Sequence, residues 1–506
     1  MKVLNILRIL ILIAILQIVL TGFMHGDDKF SDVDNISYVI SLSTENSKVA
    51  KIKVSFIPQD SILHMADGAN HLTNRWASFV HNLKVTTSRG KTIEVDALPD
   101  ARWRMRSLPT ETIIVSYEVH LDHEAHSWSG GIDGVAYATE LGVFYTGRTL
   151  LILNGQNRSS INVDFKLPMN WSVTTPWDKI NQNTYAYKVN SIFDLVNATI
   201  FAGTHKEATI RRSDFELVFA FGTKDIISRE MEFENLAEGV MDYYISLMGG
   251  IPKSSPTDSL NKVMVVISSS SSTDGEAIGN NISILIEKDG DKFSETIWRF
   301  IFAHEFFHLW NGKSFSPKAE DTEWFKEGFT NYYTLKALHH TGFLNDTSYI
   351  NLLSSFFYER YISDPGVGEL SMTDGALKHD HWGLIYSGGM FVAIAQDILI
   401  RLATNNNSNI DDLLRSLFFK YNGDTNGYSL EDLFSEMSGL NEVDQIEFYN
   451  TYIIGHEIIP IDKYLSMVGF DSKVENGTLF ISKKDNVSPE QQAIIKGILG
   501  QIISEK

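Results

Sequence analysis

Between about residues 36 and 209, apolar and polar positions alternate in short runs. Those over 37–43, 50–57 and 112–120 are rich in β-branched and aromatic side chains. Runs of this period and length predict strands with one buried face, and Arg89-Gly90, Asn154-Gly155 and Leu167-Pro168 mark turns between them. Such a series builds a β-sandwich. Past residue 212 the period changes: 233–247 reads as a helix stopping at Gly249-Gly250, 263–267 as a buried strand, and the serine run 268–272 as a polar loop. Two further helices are predicted at about 294–310 and 322–340, each with a polar N-cap and with Gly312 or Gly342 just beyond its end. From Phe343 the pattern is mainly helical, including 388–403, 410–421 and 429–438. The chain is therefore expected to be a multidomain α+β protein, with a β-sandwich over 27–211, a mixed α+β domain over 212–342, a helical domain over 343–467 and a short appendix over 468–506.

Residues 1–26 stand apart from this series. Lys2 and Arg8 precede a twelve-residue apolar stretch, Ile9 to Leu20, broken only by Gln17. This is the layout of an export signal or an N-terminal membrane anchor, and it places the rest of the chain outside the cytoplasm, secreted or tethered. Composition narrows the partners. With 43 Lys and Arg against 63 Asp and Glu, the 506-residue chain carries a formal charge of −20, which repels nucleic acid and anionic lipid. Membrane contact is expected only through the N-terminal segment. There is no cysteine, so disulfides, thiolate metal ligands and cysteine nucleophiles are all excluded.

The chemistry concentrates in the helix at 294–310. His304-Glu305-Phe306-Phe307-His308 places two imidazoles at i and i+4, on one face and one turn apart, as a single metal ion requires. The surrounding residues are apolar on nearly all sides, so the two histidines and the glutamate are buried and need a partner, which one zinc ion per chain would supply. A catalytic zinc takes three protein ligands and leaves a position open. Glu327 on the next helix is the candidate third ligand. The short 311–321 connection makes the two helices neighbours, and Gly328 is expected to let the second approach the first closely. Glu305, one position round from His304, is placed to act as general base toward a zinc-activated water rather than as a ligand, which points to peptide or amide hydrolysis. Tyr386, just ahead of a buried helix, is a candidate for stabilising the tetrahedral oxyanion.

His304 to Trp310 with Asn311 and Lys313, followed by Trp324, Glu327-Gly328-Phe329-Thr330 and Tyr332-Tyr333, resembles the glycyl aminopeptidase family of gluzincin zinc peptidases. The resemblance covers most of 36–470. It implies a thermolysin-like catalytic domain over 212–342, His304, His308 and Glu327 as zinc ligands, Glu305 as general base, and peptides with small N-terminal residues as substrates. It also places Tyr386 at the tyrosine of a Tyr-x-Lys-Gly element. Three departures accompany it. Gly388 stands where that element has its lysine. Aligned without gaps from the zinc helix, Gly279 and Asn280 fall in the substrate strand, with Asn280 at the position of an amine-holding glutamate and Glu276 as a substitute if the loop is shifted. Residues 468–506 are too few for the PDZ domain that many relatives carry. An endopeptidase or a peptidase of another end specificity thus remains open, as does an inactive zinc-stabilised peptide-binding protein, against which the retention of Glu305 argues.

Overall fold

The computed structural model describes residues 35–501 apart from 129–130, 157, 159, 254–261 and 441–444, and the apolar N-terminal segment lies outside the described residues. The chain folds as a mixed α+β molecule with a β-rich N-terminal part and a helical C-terminal part. In the N-terminal part, Asn35–Ser41, Val49–Phe56 and Ile113–His120 lie side by side in an eight-stranded sheet, and their burial alternates residue by residue as the sequence pattern requires. The inner face, with Ile52, Val54, Val115 and Val119, packs into a core that includes Trp76, Trp103 and Trp177. A second sheet runs in the order Ser172–Thr174, Thr199–Gly203, Gly142–Thr146, Ala136–Ala138.

That second sheet is also the joint to the α+β part that follows. Tyr137, Phe144 and Phe201 form a separate buried cluster with Ala220, Met264, Val266, Ile278 and Leu285 of the next sheet. The latter has five strands in the order Lys206–Arg212, Phe215–Phe221, Lys262–Ser270, Asn281–Glu287, Asp274–Ile278, so the strand nearest the β domain's loops, Asp274–Ile278, is an antiparallel edge. The sheet begins at Lys206, a few residues ahead of the change of period at 212. The expected polar loop at 268–272 is corrected in part: the strand continues through Ser270, pairing with Leu285 to Glu287. Ser268 is wholly buried because Tyr137 from the β domain donates to its Oγ at 3.2 Å, a partner that the serine run itself does not reveal.

Two helices carry the site, the first packed against this sheet and the second packed against the first. The first, Lys292–Phe307, is capped by Asp291, whose carboxylate accepts from the backbone N–H of Phe293 and of Ser294, both at 2.9 Å. It buries Trp298, Phe302, Ala303, Phe306 and Phe307. The second, Glu323–His340, is buried over nearly its whole length. Gly328 does not serve the approach of these two helices. A Cβ there would lie 2.4 Å from Gly389 Cα, so the glycine permits a crossing with the helix Gly389–Ala403 instead. A buried polar contact ties the same crossing, Tyr332 donating to Asp397 at 2.7 Å, while Arg401 of that partner helix also donates to Asp397 at 2.8 Å, and Tyr333 and Lys336 both donate at 2.7 Å to Asp411 on the further helix Ile410–Tyr421. Among the described residues, Gly383–Ala403 is long and apolar enough to cross a membrane, and it lies in the core. The last segment forms a hairpin, Phe470–Glu475 with Thr478–Lys483, and a helix, Pro489–Ile498, docked through Ile494, Ile495 and Ile498.

Candidate metal centre and substrate cleft

The i, i+4 spacing brings His304 and His308 onto one side of the first helix, with their Nε2 atoms 3.1 Å apart. Glu327 enters from the second helix, its Oε2 3.1 Å from His308 Nε2 and 3.5 Å from His304 Nε2. Among the described residues this is the one group of three such side chains whose ligand atoms lie within 4.8 Å of each other. His308 Nδ1 lies 2.9 Å from the Asn311 carbonyl, to which it can only donate, which leaves Nε2 with its lone pair. Two inward-facing imidazoles and a carboxylate, all nearly fully buried, suit a divalent cation. Two nitrogens and one oxygen are the donor set of a catalytic zinc. Burial alone would raise the Glu327 carboxyl, but His308, His304 and Lys326 outweigh it and hold the group well below the ordinary carboxylate range.

Glu305 follows His304 on the helix and is half-buried at the metal group's flank. Burial pushes its carboxyl up to about 7, with Glu327 and Glu276 adding to the rise and His304 opposing it. Tyr386 arrives from the stretch preceding Gly389–Ala403. Its ring stacks on Trp382 at 5.0 Å and lies 6.4 Å from the His304 ring, while its backbone carbonyl accepts from Asn331 at 3.2 Å. Burial and the nearby Glu327 raise the phenol above its ordinary value, so it stays a donor at neutral pH. Gly388, where the resemblance expects a lysine, meets Met372 and Tyr361, whereas a lysine from elsewhere, Lys378, reaches Glu327 Oε1 at 3.1 Å.

Gly279 and Asn280 occupy the turn that ends the edge strand, and Gly279 adopts φ 59° against Asn197 of the β domain. The acidic groups lie further back along the same strand. Asp274 and Glu276 share the face turned to the β domain, where Gly131 and Gly134 approach them. A Cβ on Gly134 would lie 1.7 Å from Glu276 Oε2. One on Gly131 would lie 2.2 Å from Asp274 Oδ2 and 2.3 Å from Asp133 Oδ1, so two carboxylate oxygens converge on that point. Asp133 is wholly buried, and among the described residues neither of its oxygens has a hydrogen-bond partner. Burial pushes it up to about 8, and Asp274 and Glu276 push in the same direction. Asp274 and Glu276 are themselves raised by burial, with Arg148 opposing the rise at Glu276. The group faces Glu305, whose charge also acts on Asp133. Sequence reasoning passed over Asp133 and Asp274, and the one available signal was an aspartate among glycines in Gly130-Gly131-Ile132-Asp133-Gly134.

A two-histidine, one-glutamate centre with a carboxyl base beside it and a tyrosine across from it defines a zinc metallopeptidase. The wider comparisons agree. Residues 37–204 match the Peptidase M61 N-terminal domain and residues 298–391 match M61 glycyl aminopeptidase. The chain belongs to the M61 glycyl aminopeptidase family. Its fold is shared with an aminopeptidase N family protein from Idiomarina loihiensis, at 16% identity and TM-score 0.72 over 87% of this chain and 79% of that one. It is also similar to an M1 zinc metallopeptidase from Deinococcus radiodurans, at 11% identity and TM-score 0.52 over 85% and 95% of the respective chains. No curated protein matches the chain significantly.

Proposed function

We propose that this zinc peptidase is an aminopeptidase that removes small N-terminal residues from peptides, and that it works outside the cytoplasm, where residues 1–26 would deliver or tether it. The observation that carries this reading is Asp133, a fully buried carboxylate with no hydrogen-bond partner among the described residues, converging with Asp274 Oδ2 beside Glu276. Carboxylates brought together in a dry site repel each other unless a cation enters, and the free ammonium of a peptide is a cation of the right kind beside Glu305. Asn280 then has no need to hold the amine, because the edge strand presents Glu276 for that purpose.

His304, His308 and Glu327 would hold the zinc, which when bound acts as a Lewis acid toward the scissile carbonyl and acidifies water. Glu305 takes a proton from the attacking water and returns it to the leaving amine. The protonated Tyr386 phenol donates to the oxygen on which negative charge develops. The acidic group fixes the ammonium one residue from the reacting carbonyl, which restricts hydrolysis to the first peptide bond.

The test is a digest of matched peptides with free and N-acetylated termini, followed by mass spectrometry with and without a chelator. Stepwise loss of N-terminal residues from the free peptides alone, abolished by the chelator, is the expected result. Cleavage of acetylated peptides at internal bonds would replace this reading with the endopeptidase one. Zinc retention without any cleavage would favour a peptide-binding role.

A further inference from the structure

The ligand carboxylate Glu327 has two differently engaged oxygens. Oε2 faces the imidazoles, whereas Oε1 accepts from Lys378 Nζ at 3.1 Å and lies 3.3 Å from Lys326 Nζ. The same two lysines clamp Glu323, Lys378 at 2.6 Å and Lys326 at 2.7 Å from its Oε2. Glu323 and Glu327 are 6% and 3% exposed and the lysine side chains 18% and 20%, so four charges alternate in a largely buried ring behind the ligand. The ring is deliberately closed by the chain's path: Lys378 follows Gly375, whose absent Cβ would lie 1.8 Å from the Glu320 carbonyl, so only glycine allows this segment so close to the start of the second site helix.

We propose that Lys378, assisted by Lys326, is a positioning residue that keeps Glu327 a one-oxygen ligand and weakens its hold on the metal. With Oε1 committed to ammonium groups, Glu327 can offer only Oε2 to an ion between the histidines. The lysines also cancel the charge of Glu323 and Glu327, so an incoming divalent ion meets a neutral cluster rather than a doubly negative one. A metal so held is less neutralised by its ligands and is the stronger Lewis acid. This inference rests on the metal centre and not on which end of a peptide is attacked.

The test compares the full chain with Lys378→Met and Lys378→Arg, measuring zinc affinity by chelator competition and the visible spectrum of the cobalt-substituted forms. Lys378→Met is expected to bind zinc roughly tenfold more tightly, since a like charge near the ion is gone. Its cobalt absorption should weaken as Glu327 binds through both oxygens and raises the coordination number. Lys378→Arg should restore the wild-type values of both. Lys326 still pairs with Glu323 in the Met variant, and Glu323→Gln/Lys378→Met, which removes one charge of each sign, carries the spectral test should Met alone fail to fold. Unchanged or weaker zinc binding in Lys378→Met, or a cobalt spectrum identical to wild type, overturns the proposal.

Discussion

The two halves of the cleft are both acidic and both buried, yet they are built in different ways. The metal half is built on two adjoining helices, and the ligand carboxylate Glu327 and its neighbour Glu323 are both matched by cations, Lys326 from the second helix and Lys378 from a following loop. In the opposite half, Asp133 comes from the β domain and Asp274 and Glu276 from the edge strand, and among the described residues no cation pairs with Asp133 and no side chain hydrogen-bonds it. A satisfied cluster holds something in place, whereas an unsatisfied one awaits something. The first half is thus read as machinery and the second as a receptor for the substrate's charge.

The sharpest way to break this division is Glu305→Gln, which should keep zinc but lose on the order of 10²–10⁴-fold in kcat, because no group then takes the water's proton. Metal analysis alongside single-turnover rates checks it, and full activity would remove Glu305 from the machinery. Next in size, Asp133→Asn should lower kcat/KM for free-amine peptides by roughly 10²-fold with zinc content unchanged, as for a buried charge pair that has lost a member. Tyr386→Phe should reduce kcat by about tenfold while KM moves less, the mark of a contact made mainly in the transition state. Equal kcat would return the tyrosine to a packing role.

The smallest effect concerns stability. Asp133 is raised in the fold to about 8, above its unfolded value of about 4, so the folded chain retains that proton longer. Its contribution is full below the unfolded value and is lost as pH rises toward 8, where the buried charge, among Asp274, Glu276 and Glu305, becomes a penalty. Asp133→Asn should therefore be more stable than wild type by about 1–3 kcal/mol at pH 8.5 and nearly equal to it at pH 4. Denaturant melts at both values measure this, and a destabilised variant at pH 8.5 would mean that Asp133 is satisfied by a partner in the fold.

Sequence pattern carried the metal half because helix periodicity alone fixes which side chains share a face. His304, Glu305 and His308 follow from an i, i+4 spacing, and Glu327 from a short connection and a second helical pattern. The helices expected over 388–403 and 410–421 are found at Gly389–Ala403 and Ile410–Tyr421 for the same reason. What escaped depends on contacts between distant segments. Gly328 was legible as a close-approach residue, but its partner Gly389 was not, since a glycine shows that something comes near without naming it. Ser268 becomes strand because Tyr137 covers it. Asp133 meets Asp274 only when the β domain docks on the edge strand, and no local period encodes that meeting. Lys378 is similar: its charge reaches Glu327 through a loop that folds back past Glu320.

The central claim is that one half of the cleft performs hydrolysis and the other selects the peptide end. It is tested most directly by the ratio of kcat/KM for a free-amine peptide to that for its N-acetylated twin, in wild type and in Asp133→Asn. The account predicts a large ratio for wild type that falls at least about tenfold in the variant, with zinc content unaltered. The same ratio in both proteins would contradict it.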